Sequence, residues 1–360
     1  MIARDHARMS FLEHFTEELL SDWQRHESGN VDRERFADRS SIGMRARSKI
    51  RELASYFGFY RASVLPYDEL REVFNVDGLS HAYELLEDEK SRDLFVKVLA
   101  YRVLGNRHVR LPLNNAEYWK LRRSLGRFVE KRDTVESPVL GALGICNFNQ
   151  MRLHVHPLAI LHTFLLEQYH CERAGIGVKP GDVVVDAGGC WGDTALYFAL
   201  NAARVYCFEC TPSNLKIISE NLAMNSSLSK KIEVVQKALW NTSGEKLLFQ
   251  EMGPGSRASS DGTGVEVETQ SLDDFVAANS VGRVDFIKMD IEGAEPKALI
   301  GAEKTIRKHR PQLGISIYHD VRHFASIPRW IADLNLGYRF YLDHFTIHAE
   351  ETVLFARADW

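Results

Sequence analysis

A chain of 360 residues is longer than one ordinary core needs, and it predicts two domains of roughly 100–200 residues each. Hydrophobic residues make up 45% and charged residues 26%, a globular balance, and the net charge of −4 argues against a general nucleic-acid binder. The five cysteines (Cys146, Cys171, Cys190, Cys207 and Cys210) are odd in number and scattered, which excludes a disulfide framework. Cys207 and Cys210 form a C-x-x-C, but inside a predicted strand they would point to opposite faces. The opening MIARDHARMS lacks the apolar core of a signal peptide, and no stretch approaches the roughly 20 apolar residues of a membrane span. The expected location is therefore cytoplasmic, with peripheral membrane contact left open.

In chain order, Leu12, Phe15, Leu19 and Trp23 mark one face of a first helix. A locally basic stretch follows, with Arg33, Arg35, Arg39, Arg45, Arg47, Lys49 and Arg51 interleaved with acids; it reads as a solvated helix face, or less simply as a contact for an acidic glycolipid or polysaccharide. Ser80 to Leu104 reads as one or two helices, and Leu158 to Cys171 as another after Pro157. LPLNN and ESPVLGALG are turn-rich. The region 1–157 is thus expected to be mainly helical and to shape the acceptor site or mediate self-association.

The texture changes near Pro180. Apolar runs at VVVDA (183–187), RVYCFEC (204–210), IEVVQKAL (232–239), VDFIKMD (284–290) and LGISIY (313–318) suit parallel strands buried on both faces. Helices are expected from Pro212 to Met224 and from Ala294 to Lys308, with Pro296 in a first turn and Ser271 with Asp274 as a capping box. This alternation predicts a doubly wound α/β sheet over 158–360. LLFQEM and VEVETQS, flanking a Gly/Ser-rich loop, read as a hairpin excursion, and YRFYLDHF with ETVLFA as an antiparallel C-terminal hairpin.

Within VVVDAGGCWGDTALYFA a strand runs into Asp186, then a glycine turn, then a helix whose first residue is Asp193. Gly188, Gly189 and Gly192 permit a sharp turn and close approach to a ligand, and the helix offers free N–H groups. Glu209 ends the next strand 23 residues after Asp186, a spacing suited to ribose hydroxyls. A dinucleotide fingerprint would need a glycine where Ala187 stands, and Asp186 would oppose a pyrophosphate. S-adenosylmethionine has no phosphate and carries a sulfonium and an ammonium, which a carboxylate favours. Of the D-x-G-x-G-x-G pattern, Asp186, Gly188 and Gly192 match, and Cys190 replaces the middle glycine.

FECTPSNL, ALWNTSG, VDFIKMDIEGAEPKAL and QLGISIYH together resemble the FkbM family of methyltransferases, over roughly Val183 to Ala356. The resemblance implies a Rossmann-like methyltransferase sheet and O-methylation of a hydroxyl on a sugar, glycolipid, polysaccharide precursor or secondary metabolite. Asp186, Gly188, Gly189, Gly192, Asp193, Glu209, Asn214 and Ala238 are then the expected cofactor residues, with Ala238 beside adenine. His319 is the expected proton acceptor and Asp290 its orienting partner, because both end strands at the functional edge. Glu292 and Tyr318 are expected at the substrate. Glu295 reads as an acid complementing a helix dipole, and Mg²⁺ on Asp290, Glu292 and Glu295 is the minority reading, so no metal is assigned. Trp191 reads as packing under the helix, and His344 and His348 as structural or substrate-contacting. Competing readings are a nitrogen acceptor, a nicotinamide-dependent oxidoreductase and a non-catalytic binding protein on the same fold.

Overall fold

The computed structural model describes residues 9–27, 29–32, 75–137, 141–259 and 261–359. The basic stretch from Arg33 to Arg51 lies outside them.

The chain begins with α1 (Phe11–Trp23), closed at its N-terminus by a reciprocal Ser10–Glu13 capping box. It buries Phe11, Phe15 and Asp22, whereas Leu12 and Trp23 are exposed, so the buried face is rotated from the expected one. The cause is Lys97, whose ammonium binds Asp22 at 2.8 Å and also pairs with Glu18, drawing the polar edge of α1 inward. Helices α2 (Val76–Leu85) and α3 (Glu89–Leu104) follow, each capped by an Asn or Asp side chain, and then α4 (Ala116–Ser124).

The described residues before 158 hold more helix than strand, but they also contain a sheet that the sequence did not announce. Strands β1 (Val129–Ser137), β2 (Gly141–Phe148) and β3 (Met151–His154) form an antiparallel sheet where the glycines and Pro138 suggested only turns. Its edge is satisfied from outside. Asn221 and Asn225, one helical turn apart, donate to the carbonyls of His154 (3.2 Å) and Arg152 (2.7 Å) and accept from the same residues' N–H groups. Two side-chain amides thus replace the missing strand. The helix expected from Leu158 to Cys171 is shorter: α5 (Pro157–Ala159) passes directly into a π-helical turn, Ile160–Leu165.

The remainder alternates as expected, through β4 (Val183–Ala187), α6 (Asp193–Ala199), β5 (Arg204–Phe208), α7 (Pro212–Met224), α8 (Ser226–Ser229) and β6 (Ile232–Val235). The run IEVVQKAL does not form one strand. Its end, β7 (Ala238–Leu239), joins β8 (Lys246–Gln250), β9 (Arg257–Ala258) and β10 (Val265–Gln270) in a separate four-stranded sheet. Next come α9 (Leu272–Ala278), β11 (Phe286–Met289), α10 (Glu295–Ile300), α11 (Glu303–His309), β12 (Gln312–Ser316), α12 (His323–Asp333), β13 (Tyr338–His344) and β14 (Thr352–Ala358). Ala302 separates α10 from α11, where one helix was expected.

The seven-stranded sheet has the order β13-β14-β12-β11-β4-β5-β6. Five consecutive strands, β12-β11-β4-β5-β6, are parallel, and β14 runs antiparallel between β12 and β13. Because side chains alternate along a strand, Val185, Ile287 and Leu354 face one layer, and Val184, Phe286 and Phe355 face the other. The first layer also holds Phe11, Phe15, Leu79, Phe95 and Leu99, so α1–α3 share a hydrophobic cluster with the sheet. The second is closed by Leu153 of β3 and by Ile160 and Phe164 of the π turn. Among the described residues no helix is long and apolar enough to cross a membrane.

Candidate active site

Strands β4, β5 and β11 end side by side, and the turns that follow them build the site. After β4 the backbone reverses at Gly188 (φ +81°), whose N–H and that of Gly189 both donate to the Phe208 carbonyl. A Cβ on Gly188 would lie 1.9 Å from the Asp290 carbonyl oxygen, and one on Gly189 would lie 2.2 Å from Cys207 Sγ. The two glycines let three strand ends close on one another. Cys190 stands at the non-glycine position yet adopts a left-handed φ of +46°, and its N–H donates to Glu209 Oε2 at 2.9 Å.

Two adjoining clefts open there. The smaller spans about 490 Å³ including the solvent at its mouth and is lined by Gly188, Phe208, Glu209, Asn214, Ala238 and Leu239, among others. The larger encloses about 1270 Å³ between Tyr169, Trp191, Asp193 and Tyr318 and a wall that includes His156, His162, Glu350 and Glu351. Gly188, Cys190, Pro254, Asp290 and Glu292 line both and so mark the passage between them. Cys190, Glu292 (φ +55°) and Glu351 (φ +64°) hold left-handed backbone around this space, a strain that non-glycine residues concentrate at functional sites.

Residues 175–340 match the family described as methyltransferase FkbM domain. That stretch is thus similar to an FkbM methyltransferase domain. Its structure is similar to that of an FkbM methyltransferase from Methylobacillus flagellatus KT, with TM-score 0.54, 18% identity, and coverage of 88% of this chain and 72% of that one. Weaker likenesses are to an rRNA methylase from Streptococcus thermophilus (TM-score 0.36, 16% identity, 57% of this chain and 98% of that one) and to a precorrin-6y C5,15-methyltransferase from Geobacter metallireducens GS-15 (TM-score 0.32, 11% identity, 54% and 84%). No curated protein matches the sequence.

The expected site residues fall into two groups. Glu209, Asn214 and Ala238 line the smaller cleft, Asp193 and Tyr318 the larger, and Gly188, Asp290 and Glu292 both. Asp186, Gly189, Gly192 and His319 are not on either lining. Asp186 was expected against the cofactor, but it is fully buried under the turn. It accepts from Thr194 Oγ1 at 2.7 Å and pairs at 3.1 Å with Lys288 Nζ, which donates to the Ala187 and Gly188 carbonyls. Asp186 therefore supports the turn from beneath and lies on neither cleft lining. Gly192 is the N-cap of α6. Trp191 is buried, as expected, and also borders the larger cleft.

Glu209 gathers its own loop. Its carboxylate accepts from the N–H groups of Cys190, Cys210 and Thr211, the Thr211 hydroxyl and Asn214 Nδ2. Burial pushes its carboxyl above the ordinary value, and the Thr211, Cys210 and Asn214 hydrogen bonds oppose that rise. For Asp290, burial also acts upward, but Lys288, His319 and the hydroxyls of Tyr169 (2.8 Å) and Tyr318 (3.1 Å) together hold it below the usual carboxylate range. Asp290 thus stays ionised at the passage.

His319 stands behind this pair. Its Nε2 lies 3.4 Å from Asp290 and 3.5 Å from Glu292, and its Nδ1 lies 3.0 Å from Glu295. Burial alone would lower its pKa; the surrounding Glu295, Glu292 and Asp290 reverse this and raise it well above the ordinary histidine value. An imidazolium off the cleft lining is poorly placed to take a proton from an acceptor. Glu295 was read as a dipole-complementing acid, yet it is fully buried and also accepts from the Ile291 N–H at 2.9 Å. Asp290, Glu295 and His319 offer atoms within 4.8 Å of one another, but the imidazole presents different nitrogens to the two acids and so separates them.

Lys288 was missed, although a lysine inside the apolar run VDFIKMD was a visible sign of a buried partner. The wall residues His156, His162, Glu350 and Glu351 had no local signal. His344 and His348 are structural: the first contacts Thr352 Oγ1 at 2.8 Å, and the second accepts from the Asp32 N–H at 3.2 Å. Cys210 lies beyond the end of β5, and burial raises both thiols of the C-x-x-C, which makes them poor thiolates.

Proposed function

We propose that this protein transfers a methyl group from S-adenosylmethionine to a hydroxyl of a sugar, glycolipid, polysaccharide precursor or secondary-metabolite acceptor. The observation that carries the reading is a cleft, with Glu209 and the unpartnered Asn214 Oδ1 on its wall, that opens past Asp290 and Glu292 into a larger polar cleft. The smaller cleft fits an adenosine group chemically. Glu209 can accept from ribose hydroxyls, and the buried Asn214 Oδ1 meets no hydrogen-bond partner among the described residues, leaving an acceptor for a ligand N–H or O–H. Ala238 and Leu239 offer an apolar edge for the base.

When bound, the cofactor would supply an electrophilic methyl carbon on a sulfonium: an acceptor oxygen would bond to that carbon as its bond to sulfur breaks, the electron pair staying on the sulfur of the S-adenosylhomocysteine left behind. The chain's own contribution is alignment and charge. Gly188 permits close approach. Asp290 and Glu292 set negative charge at the passage, and Glu292 is the carboxylate better placed to receive the acceptor's proton, because Asp290 is already engaged by two tyrosines. The wall from His156 to Tyr169 and at Glu350 and Glu351 lies where an acceptor would sit. Arg102 of α3 donates to the carbonyls of Tyr318 and Ala349, so residues before 158 brace two loops of that cleft. Cofactor residues in 158–360 and acceptor shaping by 1–157 together make the proposed division of labour, and self-association stays open.

Calorimetry on the purified chain should show binding of S-adenosylmethionine and S-adenosylhomocysteine and none of NAD. NAD binding without either adenosyl ligand would replace this reading with a nicotinamide-dependent one. Glu209→Ala should weaken S-adenosylhomocysteine by about 10- to 150-fold, the equivalent of the roughly 1.5–3 kcal/mol of a charge-assisted hydrogen bond. Wild-type affinity in that variant would remove Glu209 from the site.

A further inference from the structure

We infer that His319 and the buried Glu295 are positioning residues: Glu295 holds the His319 imidazolium, whose other nitrogen braces the Asp290 and Glu292 carboxylates where the two clefts meet. The inference deepens the proposed function and rests on it for the identity of the ligand. It does not make His319 the group that receives a proton.

The geometry runs in one direction, from the core outward. Glu295 opens α10 and is fully buried, fixed by the Ile291 N–H at 2.9 Å. Its Oε1 lies 3.0 Å from His319 Nδ1. The opposite ring nitrogen faces Asp290 Oδ1 at 3.4 Å and Glu292 Oε1 at 3.5 Å. Both of those carboxylates line both clefts, whereas the imidazole lines neither. Two acids on one short turn, ionised together, repel each other; a cation between them lets both remain charged and fixed. Glu292 is held on left-handed backbone, followed by Gly293 at φ +97°, so this turn needs support from outside itself.

Among the described residues, charged and titratable groups face the ring from three elements. Asp290 and Glu292 come from the turn after β11, and Glu295 from α10. From α12, His323 Nδ1 approaches Glu295 Oε2 at 3.6 Å, and burial lowers its pKa, so it competes weakly for that acid. The Tyr318 ring lies against the imidazole with centroids 4.1 Å apart, and its hydroxyl, like that of Tyr169, donates to Asp290. Lys288 of β11 acts on Asp290 from below, and Asp320 and Arg322 pair with each other nearby. Three carboxylates thus face one imidazole, and they keep its charge through neutral pH.

The test uses the full chain, with S-adenosylmethionine as the probe, by calorimetry at pH 6 and pH 8 and by ¹H–¹⁵N spectra of the histidine rings. In wild type the His319 ring should remain an imidazolium at both pH values, and affinity should change by less than about twofold. In Glu295→Gln the ring should lose its proton between them, and affinity should fall about tenfold from pH 6 to pH 8. His319→Gln, which is neutral at both, should bind weakly and without pH dependence, near the high-pH value of Glu295→Gln. A neutral His319 ring in wild type at pH 7, a pH-independent Glu295→Gln affinity, or wild-type affinity in His319→Gln would each overturn the inference. Should wild type bind no adenosyl ligand, the proposed function fails, and the ring's titration in wild type and Glu295→Gln still decides whether Glu295 sets its charge.

Discussion

Gly188→Ala is expected to abolish useful cofactor binding while leaving a folded but weakened chain. The new methyl group would lie 1.9 Å from the Asp290 carbonyl oxygen and 3.1 Å from Ile291 Cγ2, and backbone φ is +81°. Neither partner yields cheaply, because the Asp290 N–H is itself bonded to the Ala187 carbonyl at the end of β4. Left-handed strain costs about 1–3 kcal/mol and overpacking about as much again. Relief must come from parting the turns after β4 and β11, which are the floor of the passage. If half of that cost falls on the bound state, affinity for S-adenosylhomocysteine drops by roughly 5- to 150-fold. Gly181→Ala is the matched control: it shares a positive φ (+88°) but has nothing within 4 Å of the added carbon. It should lose only about 1 kcal/mol of stability and keep wild-type affinity. Equal affinities for the Gly188 and Gly181 variants would show that the contact with Asp290 does not shape the site.

The second large effect is expected at Lys288. Its side chain is 2% exposed, against Asp186 at 0%, and it donates to the carbonyls of Ala187 and Gly188. Lys288→Met leaves a carboxylate buried without its cation and two turn carbonyls without their donor. Breaking a buried pair on one side costs about 3–5 kcal/mol, readable as a lower denaturation midpoint with unchanged slope. Asp186→Asn combined with Lys288→Met should recover part of the loss, because no uncompensated charge then remains. Additive losses in the double variant would argue against the coupling. The pH sign follows from Lys288. Burial lowers its pKa, but Asp186 and Asp290 raise it overall. A cation with a raised folded-state pKa contributes fully below its unfolded value of about 10.4 and loses that contribution only as pH rises through the folded value. The pair should therefore stabilise the protein evenly from pH 6 to pH 8.

Local sequence carries much of this site. The strand ending in Asp186, the glycines after it and the acid 23 residues later all depend on neighbours in sequence, because turn chemistry and strand periodicity are local. Gly188, Glu209, Asn214, Ala238, Asp290 and Glu292, all singled out by such local signals, line the clefts. Expectation fails where burial competes with motif. Asp186 carries the motif's acid, yet Lys288 from another strand turns it inward. His319 ends its strand at the right edge, yet Glu295 and its fellow acids hold the ring behind the lining. On α1, apolar spacing named a face that Lys97 rotated by drawing in Asp22.

Adjacent residues alone are enough to specify a parallel α/β sheet, a glycine turn at its edge and the acids that end its strands. Packing of the layers selects which of those acids reach open space and which are spent on the protein's own cations. It also makes β1–β3 a sheet whose edge Asn221 and Asn225 complete, and it brings His156, His162, Glu350 and Glu351 together across one cleft. Backbone preference is set within a few residues, whereas the partner of a buried charge and the convergence of segments nearly 200 residues apart are fixed only when the layers pack.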